Sequence, residues 1–109
     1  MDMTTAARIE RGAIALFDAH EIRVRRRHGF MHVLRKWQDI PQSNRDEFIT
    51  VATFIDNALQ RHTEASNCIA DFLDALNAWR PEGADIDAGV MHRWAARRLQ
   101  EYVGATRKD

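Results

Sequence analysis

Between Ser43 and Trp79 the chain holds neither glycine nor proline, and its apolar residues fall on a single helical stripe. Phe48, Ala52, Ile55, Leu59, His62, Ser66, Ile69, Leu73 and Leu76 are spaced alternately by four and three. That alternation lines side chains along one side of a helix. Val51, Ala58, Ala65, Phe72 and Trp79 flank the line and widen it into a band that another element must cover. The start of the segment is marked by Pro41, by Ser43 as a suitable N-cap, and by Asp46 and Glu47 at the positive end of the helix dipole. Its end is marked by Arg80 and Pro81.

The middle of this stripe is polar. His62 and Ser66 occupy core-facing positions, and Thr63, Ser66 and Asn67 could each cap a new helix. An unbroken helix over this span would be about 55 Å long at about 1.5 Å per residue. A compact domain of this size has a radius of gyration of about 13 Å, so an unbroken helix would need a partner chain. A break near residues 62–66, giving a helical hairpin, is the expectation.

The flanking segments extend the helical pattern. Ile9, Ala13, Leu16, Phe17, His20 and Val24 share a face, in a helix beginning after Thr4 or Thr5. Gly29 should break or bend it. Ile22, Val24, Arg26, His28 and Phe30 also alternate as a strand would, but no hairpin partner is visible. Phe30 to Ile40 reads as a short helix carrying Met31, Leu34 and Trp37. Pro81-Glu82-Gly83 reads as a loop. The last helix is capped by Asp85 or Asp87 and carries a wide band from Val90 to Val103, with Arg98 inside it and Gly104 as its stop. The expected fold is all-α, one domain over 1–109, an antiparallel bundle of four to five helices at about 5–27, 30–39, 44–62, 66–79 and 86–103. The ends, about 1–4 and 105–109, are expected to fray.

Sixteen Lys and Arg balance sixteen Asp and Glu, but the charges are segregated. Residues 1–38 carry eight basic and four acidic side chains, 39–87 carry three and ten, and 88–109 carry five and two. Basic ends therefore flank an acidic middle. Complementary packing between helices accounts for this, as do two functional surfaces of opposite sign. The basic cluster Arg23, Arg25, Arg26, Arg27, His28, His32, Arg35 and Lys36 is one such surface; Arg93, Arg97 and Arg98 form a second. Guanidiniums of this kind bind phosphates or acidic protein surfaces. Trp37, Trp79 and Trp94 pack cores, and Trp with Arg also makes binding hot spots.

Chemistry beyond binding finds no pattern. His28 and His32 have the four-residue spacing two imidazoles need for one ion, but no further ligands accompany them, so no metal is expected. No Gly-rich phosphate loop and no nucleophile-and-base motif is present, so neither a cofactor nor catalysis is expected. Asp71, Asp74 and Glu64 read as solvated carboxylates on a polar face. Cys68, the one cysteine, reads as a small buried thiol, and a reducing cytoplasm is the default location. Met1 to Thr4 is polar and no apolar run reaches the length of a membrane span, so neither a secretory leader nor a membrane role is expected.

The functional expectation is a non-enzymatic regulatory, adaptor or inhibitor protein acting by protein–protein association. Its partner-binding residues are drawn from Arg23, Arg25, Arg26, Arg27, Arg35, Lys36, Trp37, Arg93, Trp94, Arg97 and Arg98. The alternative is nucleic-acid binding through the Arg-rich helices, in a loose helix-turn-helix arrangement around Trp79 to Asp87. One contiguous basic face joining both Arg groups would favour nucleic acid; separate basic and acidic faces would favour protein. A homodimer is also expected, with His62 and Ser66 setting register between helices.

Overall fold

The computed structural model describes residues 4–31, 33–80 and 87–107. Four α-helices pack into an antiparallel bundle: α1 Thr5–His28, α2 Gln42–Arg61, α3 Ala65–Trp79 and α4 Ala88–Thr106. No strand occurs among the described residues; the rival strand segment, Glu21 to Phe30, is α-helical to His28 and continues into a 3-10 turn.

The central stripe divides as expected. His62 leaves the helical region (φ −130°, ψ 143°) while its backbone N–H still donates to the Ala58 carbonyl. After the three residues 62–64, α3 folds back along α2, so the two halves of the stripe cover each other. Cys68 seals the joint. It is buried, and its Sγ lies 3.4 Å from the His62 carbonyl oxygen and 3.7 Å from that of Ala58, two groups at the unsatisfied end of α2. Ser66 falls in the first turn of α3 and is exposed. The stripe is therefore closed within one chain, with His62 half-buried at the turn.

The core lies where the four helices meet. Leu16 and Phe17 of α1, Ala52 and Ile55 of α2, Phe72 of α3, and Ala95 and Tyr102 of α4 are all buried. Phe17 meets Trp37 and Phe48 edge-on, at 5.8 and 5.5 Å between ring centroids, forming an aromatic corner at one end. At α1's N-terminal half, Gly12 lies against the Tyr102 ring; a Cβ there would overlap it. The absent side chain is what lets α1 and α4 approach this closely.

Two buried carboxylates tie the helices together. Asp56 on α2 receives Arg8 Nε at 2.7 Å, Arg8 Nη2 at 3.1 Å and the Tyr102 hydroxyl at 2.7 Å, joining three helices at one group. Glu21 on α1, 2% exposed, receives three donors from Arg35: its backbone N–H at 2.9 Å, Nε at 3.1 Å and Nη2 at 2.9 Å.

The Glu21 contact explains the main departure from expectation. Residues 30–39 do not form one helix. Gly29, at φ +66°, ends α1, single 3-10 turns cover Gly29–Met31 and Trp37–Asp39, and residues 33–36 are without helical structure. The Arg35 N–H that a helix would direct to a carbonyl four residues back is taken by Glu21 instead. Met31 and Leu34 are consequently exposed rather than core-facing.

Helix ends differ in smaller ways. α1 begins after Thr4, one of the two expected starts, with Thr4 Oγ1 accepting from Ala7 N at 3.1 Å, and Asp87 caps α4 as expected by accepting from Val90 N at 3.1 Å. Pro41, not Ser43, occupies the N-cap of α2, and Glu64 that of α3, neither with a side-chain cap. Gly104 does not stop α4, which runs on to Thr106. Thr106 Oγ1 donates to the Tyr102 carbonyl at 2.7 Å in that last turn. The expected loop at Pro81 to Gly83, the alternative cap Asp85 and the candidate ligand His32 lie outside the described residues.

Candidate functional site

The antiparallel packing of α1 and α4 brings the C-terminal half of one beside the N-terminal half of the other. Their tight contact is at Gly12 and Tyr102. Beyond it, a cleft of about 430 Å³ opens between the two helices. His20, Arg23, Val24, Arg27 and His28 line it from α1. Val90, Arg93, Trp94, Arg97 and Arg98 line it from α4. Two arginine groups some seventy residues apart in sequence thus share one cavity.

Glu101 holds two of these arginines from outside the lining. Its Oε2 accepts from Arg23 Nη1 at 2.8 Å and from Arg98 Nη2 at 3.2 Å. Arg98 Nε is also 2.9 Å from Glu101 Oε1, close enough for Coulombic attraction although the two atoms are not aligned as a hydrogen bond. Arg98 is buried, and its guanidinium lies 5.3 Å from the centroid of the Trp94 ring. Burial, with the like charges of Arg23 and Arg97, pushes Arg98 below its ordinary pKa, and Glu101 opposes that shift. One carboxylate is thus shared by two guanidiniums. Arg27, Arg93 and Arg97 are exposed and make no ion pair among the described residues. The Asp87 carboxylate stands near Arg93, since both would be close to a Cβ placed at Gly89.

His20 sits between this cleft and the aromatic corner, tilted on Phe48 at 5.8 Å. Burial and then the neighbouring Arg23 charge hold it below the ordinary histidine value of 6.5, against a smaller opposing effect of Glu21. Its folded pKa is lower than its unfolded one. Protonation therefore costs stability as pH falls below 6.5.

The remaining basic residues go elsewhere. Arg25 and Arg26 are exposed and do not line the cleft. Arg35 is committed to Glu21 and lies over the Phe17 ring at 5.8 Å. Lys36 is exposed, and Trp37 is half-buried in the aromatic corner. Of the eleven candidate binding residues, Arg23, Arg27, Arg93, Trp94, Arg97 and Arg98 come together; Arg25, Arg26, Arg35, Lys36 and Trp37 do not. Sequence reasoning missed Glu101, whose i,i+3 spacing from Arg98 was a readable signal, and His20, which it placed on an apolar face.

A second depression of about 600 Å³ adjoins the first and shares His20, Val90 and Trp94 with it. Val51, Leu76, Trp79 and Met91 make it mainly apolar. Trp79 meets Phe54 edge-on at 5.8 Å and carries the Arg80 guanidinium at 4.5 Å. Of the described acidic residues of the middle segment, Asp71 pairs with Arg61 and His62 at the α2–α3 turn, and Glu47, which lines the second depression, pairs with Arg80.

Among the described residues no three His, Cys, Asp or Glu side chains gather as metal ligands do, and no helix is long and apolar enough to cross a membrane. No protein-family model, curated protein or solved structure matches the chain.

Proposed function

We propose that this chain is a non-enzymatic binding protein that docks its α1–α4 arginine face on an anionic surface of another macromolecule. Regulators, adaptors and inhibitors all act by such occupation. The observation that carries the reading is the convergence of Arg23 and Arg27 with Arg93, Arg97 and Arg98 in one cleft, where Glu101 pairs with Arg23 and Arg98 and leaves Arg27, Arg93 and Arg97 exposed. A chain of zero formal net charge has no general attraction for polyanions, so any such binding must come from a local cluster of this kind.

Heparin serves as a generic polyanion probe. The protein should be retained on a heparin column at low salt, and the triple variant Arg27→Gln/Arg93→Gln/Arg97→Gln should pass through or elute much earlier. These three side chains are exposed, so the variant should keep its fold. Passage of the wild-type protein without retention would remove the reading.

Protein association has a separate support in the adjoining apolar groove with Trp79 and Met91. A homodimer remains part of the proposal on two grounds: the segregated charge, and the exposure of Ile22, Met31, Val33, Leu34 and Val90. Light scattering over a range of concentrations should then show mass rising toward twice that of the monomer; a monomer mass throughout would end that part. The free, buried Cys68 fits a reducing compartment, and a cytoplasmic site of action belongs to the same proposal.

A further inference from the structure

We propose that the anionic partner of the cleft is the phosphate backbone of double-stranded nucleic acid, bound without reading its sequence. The proposal rests on the docking role just assigned to this face. Three features of the cleft select this partner.

The first is the arrangement of the cations. Arg23 and Arg27 on α1, and Arg93 and Arg97 on α4, are pairs one helical turn apart. Each pair spans about 6 Å along its axis, at about 1.5 Å per residue. Two such rows line the cleft, with Arg23 held by Glu101 and Arg27, Arg93 and Arg97 exposed to meet three phosphates. A repeating row of forked donors suits a repeating row of phosphates, each of which can accept two parallel N–H bonds from one guanidinium.

The second is what the cleft lacks. Among the described residues the lining contains no Asn, Gln, Asp or Glu; Glu101 lies against Arg23 and Arg98, and Asp87 near Arg93, outside that lining, so the polar groups the cleft presents are guanidiniums and imidazoles. Amide and carboxylate side chains are the partners of adenine and cytosine edges. A lining of this composition positions a backbone and leaves most of the base code unread.

The third concerns the aromatic rings. Single-strand binders stack bases on open aromatic faces. Trp94, the aromatic residue of the cleft, is already packed with Arg98 at 5.3 Å and with the Phe72 ring at 5.9 Å. It offers rigidity to Arg98 rather than a platform to a base. A cleft of about 430 Å³ is also too small to enclose a duplex, so contact is with the phosphates of one strand across its mouth.

The test is fluorescence anisotropy with three labelled probes: a mixed-sequence DNA duplex, one of its strands alone, and a polyglutamate peptide of matched charge. The duplex should bind most tightly. Its affinity should fall with salt at a log–log slope of about −3, as three neutralised phosphates require. Two unrelated duplex sequences should bind within about twofold of each other. The triple variant should lose at least tenfold in duplex affinity at low salt while its circular dichroism and melting temperature stay unchanged. Tighter binding of the single strand, or of polyglutamate, would overturn the proposal. If polyglutamate binds best and the triple variant abolishes that binding, docking through the arginine face stands and the nucleic-acid partner falls. If no probe binds, both fall. Duplex affinity unchanged in the triple variant would move the contact off this cleft and overturn the proposal as well.

Discussion

Gly12→Ala should destabilise the protein by about 3 kcal/mol, although alanine is the better helix former by about 1 kcal/mol. The position lies inside α1, is buried, and faces the Tyr102 ring so closely that an added Cβ would overlap its Cδ2 and Cε2 atoms. The ring cannot simply swing aside. Its hydroxyl donates to Asp56 at 2.7 Å, and Tyr102 is fully buried. Relief requires either moving α1 away from α4 or breaking that bond, and a hydrogen bond to a charged group contributes about 1.5–3 kcal/mol. In a domain near this size the loss corresponds to a fall of about 10–20 °C in melting temperature. Gly104→Ala is the internal control. It is also helical, but exposed with open space around it, so it should be neutral or stabilising by up to about 1 kcal/mol. Thermal unfolding of both variants checks the pair. A Gly12→Ala protein as stable as Gly104→Ala would mean that the α1–α4 contact is not close packed.

What could be read from the sequence follows from range. The stripe from Phe48 to Leu76 is a local pattern, and it located α2, α3 and the break at His62 to within about two residues. Asp87 was legible as a cap, and the start of α1 after Thr4 with it, because a cap acts on an N–H three residues away. The segment 30–39 was not legible. Its Met31, Leu34 and Trp37 have helical spacing, but the deciding contact runs from Arg35 back to Glu21, and a buried carboxylate with three donors outweighs weak local propensity. Gly104 was misread for the opposite reason. Glycine permits a helix end without requiring one, and α4 continues through it.

The same distinction governs the cleft. The two arginine groups were visible, but their meeting depends on α1 and α4 packing antiparallel, a fact of topology. The separation of Arg35 from the cluster depends on Glu21, and that of Trp37 on Phe17 and Phe48. The cleft joins Arg23 and Arg27 to Arg93, Arg97 and Arg98 and leaves Arg25 and Arg26 outside, because successive residues of one helix point to different sides.

Asp56→Ala should cost about 3–5 kcal/mol, the usual consequence of removing one partner from a buried ion pair. Asp56 is 2% exposed and accepts from Arg8 and from Tyr102, so the substitution strands three donors on two side chains at once. Arg8, with a side chain 24% exposed, can turn toward water, which places the expected loss nearer the lower figure. The Tyr102 hydroxyl has no such escape, and its unmet bond alone accounts for about 1–3 kcal/mol. The wild-type protein should also show this lock in its acid response. The Arg8 hydrogen bonds, with help from Tyr102 and against the cost of burial, hold the Asp56 carboxyl below its ordinary value of 3.8. The folded state therefore binds this proton less tightly than the unfolded state. The stabilisation is complete above 3.8 and is lost as pH falls through the lower folded value. Asp18, raised by burial and then by Glu21, works in the opposite direction and is common to both proteins. Urea unfolding of wild type and Asp56→Ala from about pH 6 to pH 2 separates the effects. The stability gap should be wide and constant at the upper end and should narrow below 3.8, because only the wild type has this carboxylate to lose. A gap that stayed constant to pH 2 would show that the lock acts through packing rather than charge, and a gap under about 1 kcal/mol at pH 6 would mean that Arg8 and Tyr102 find other partners.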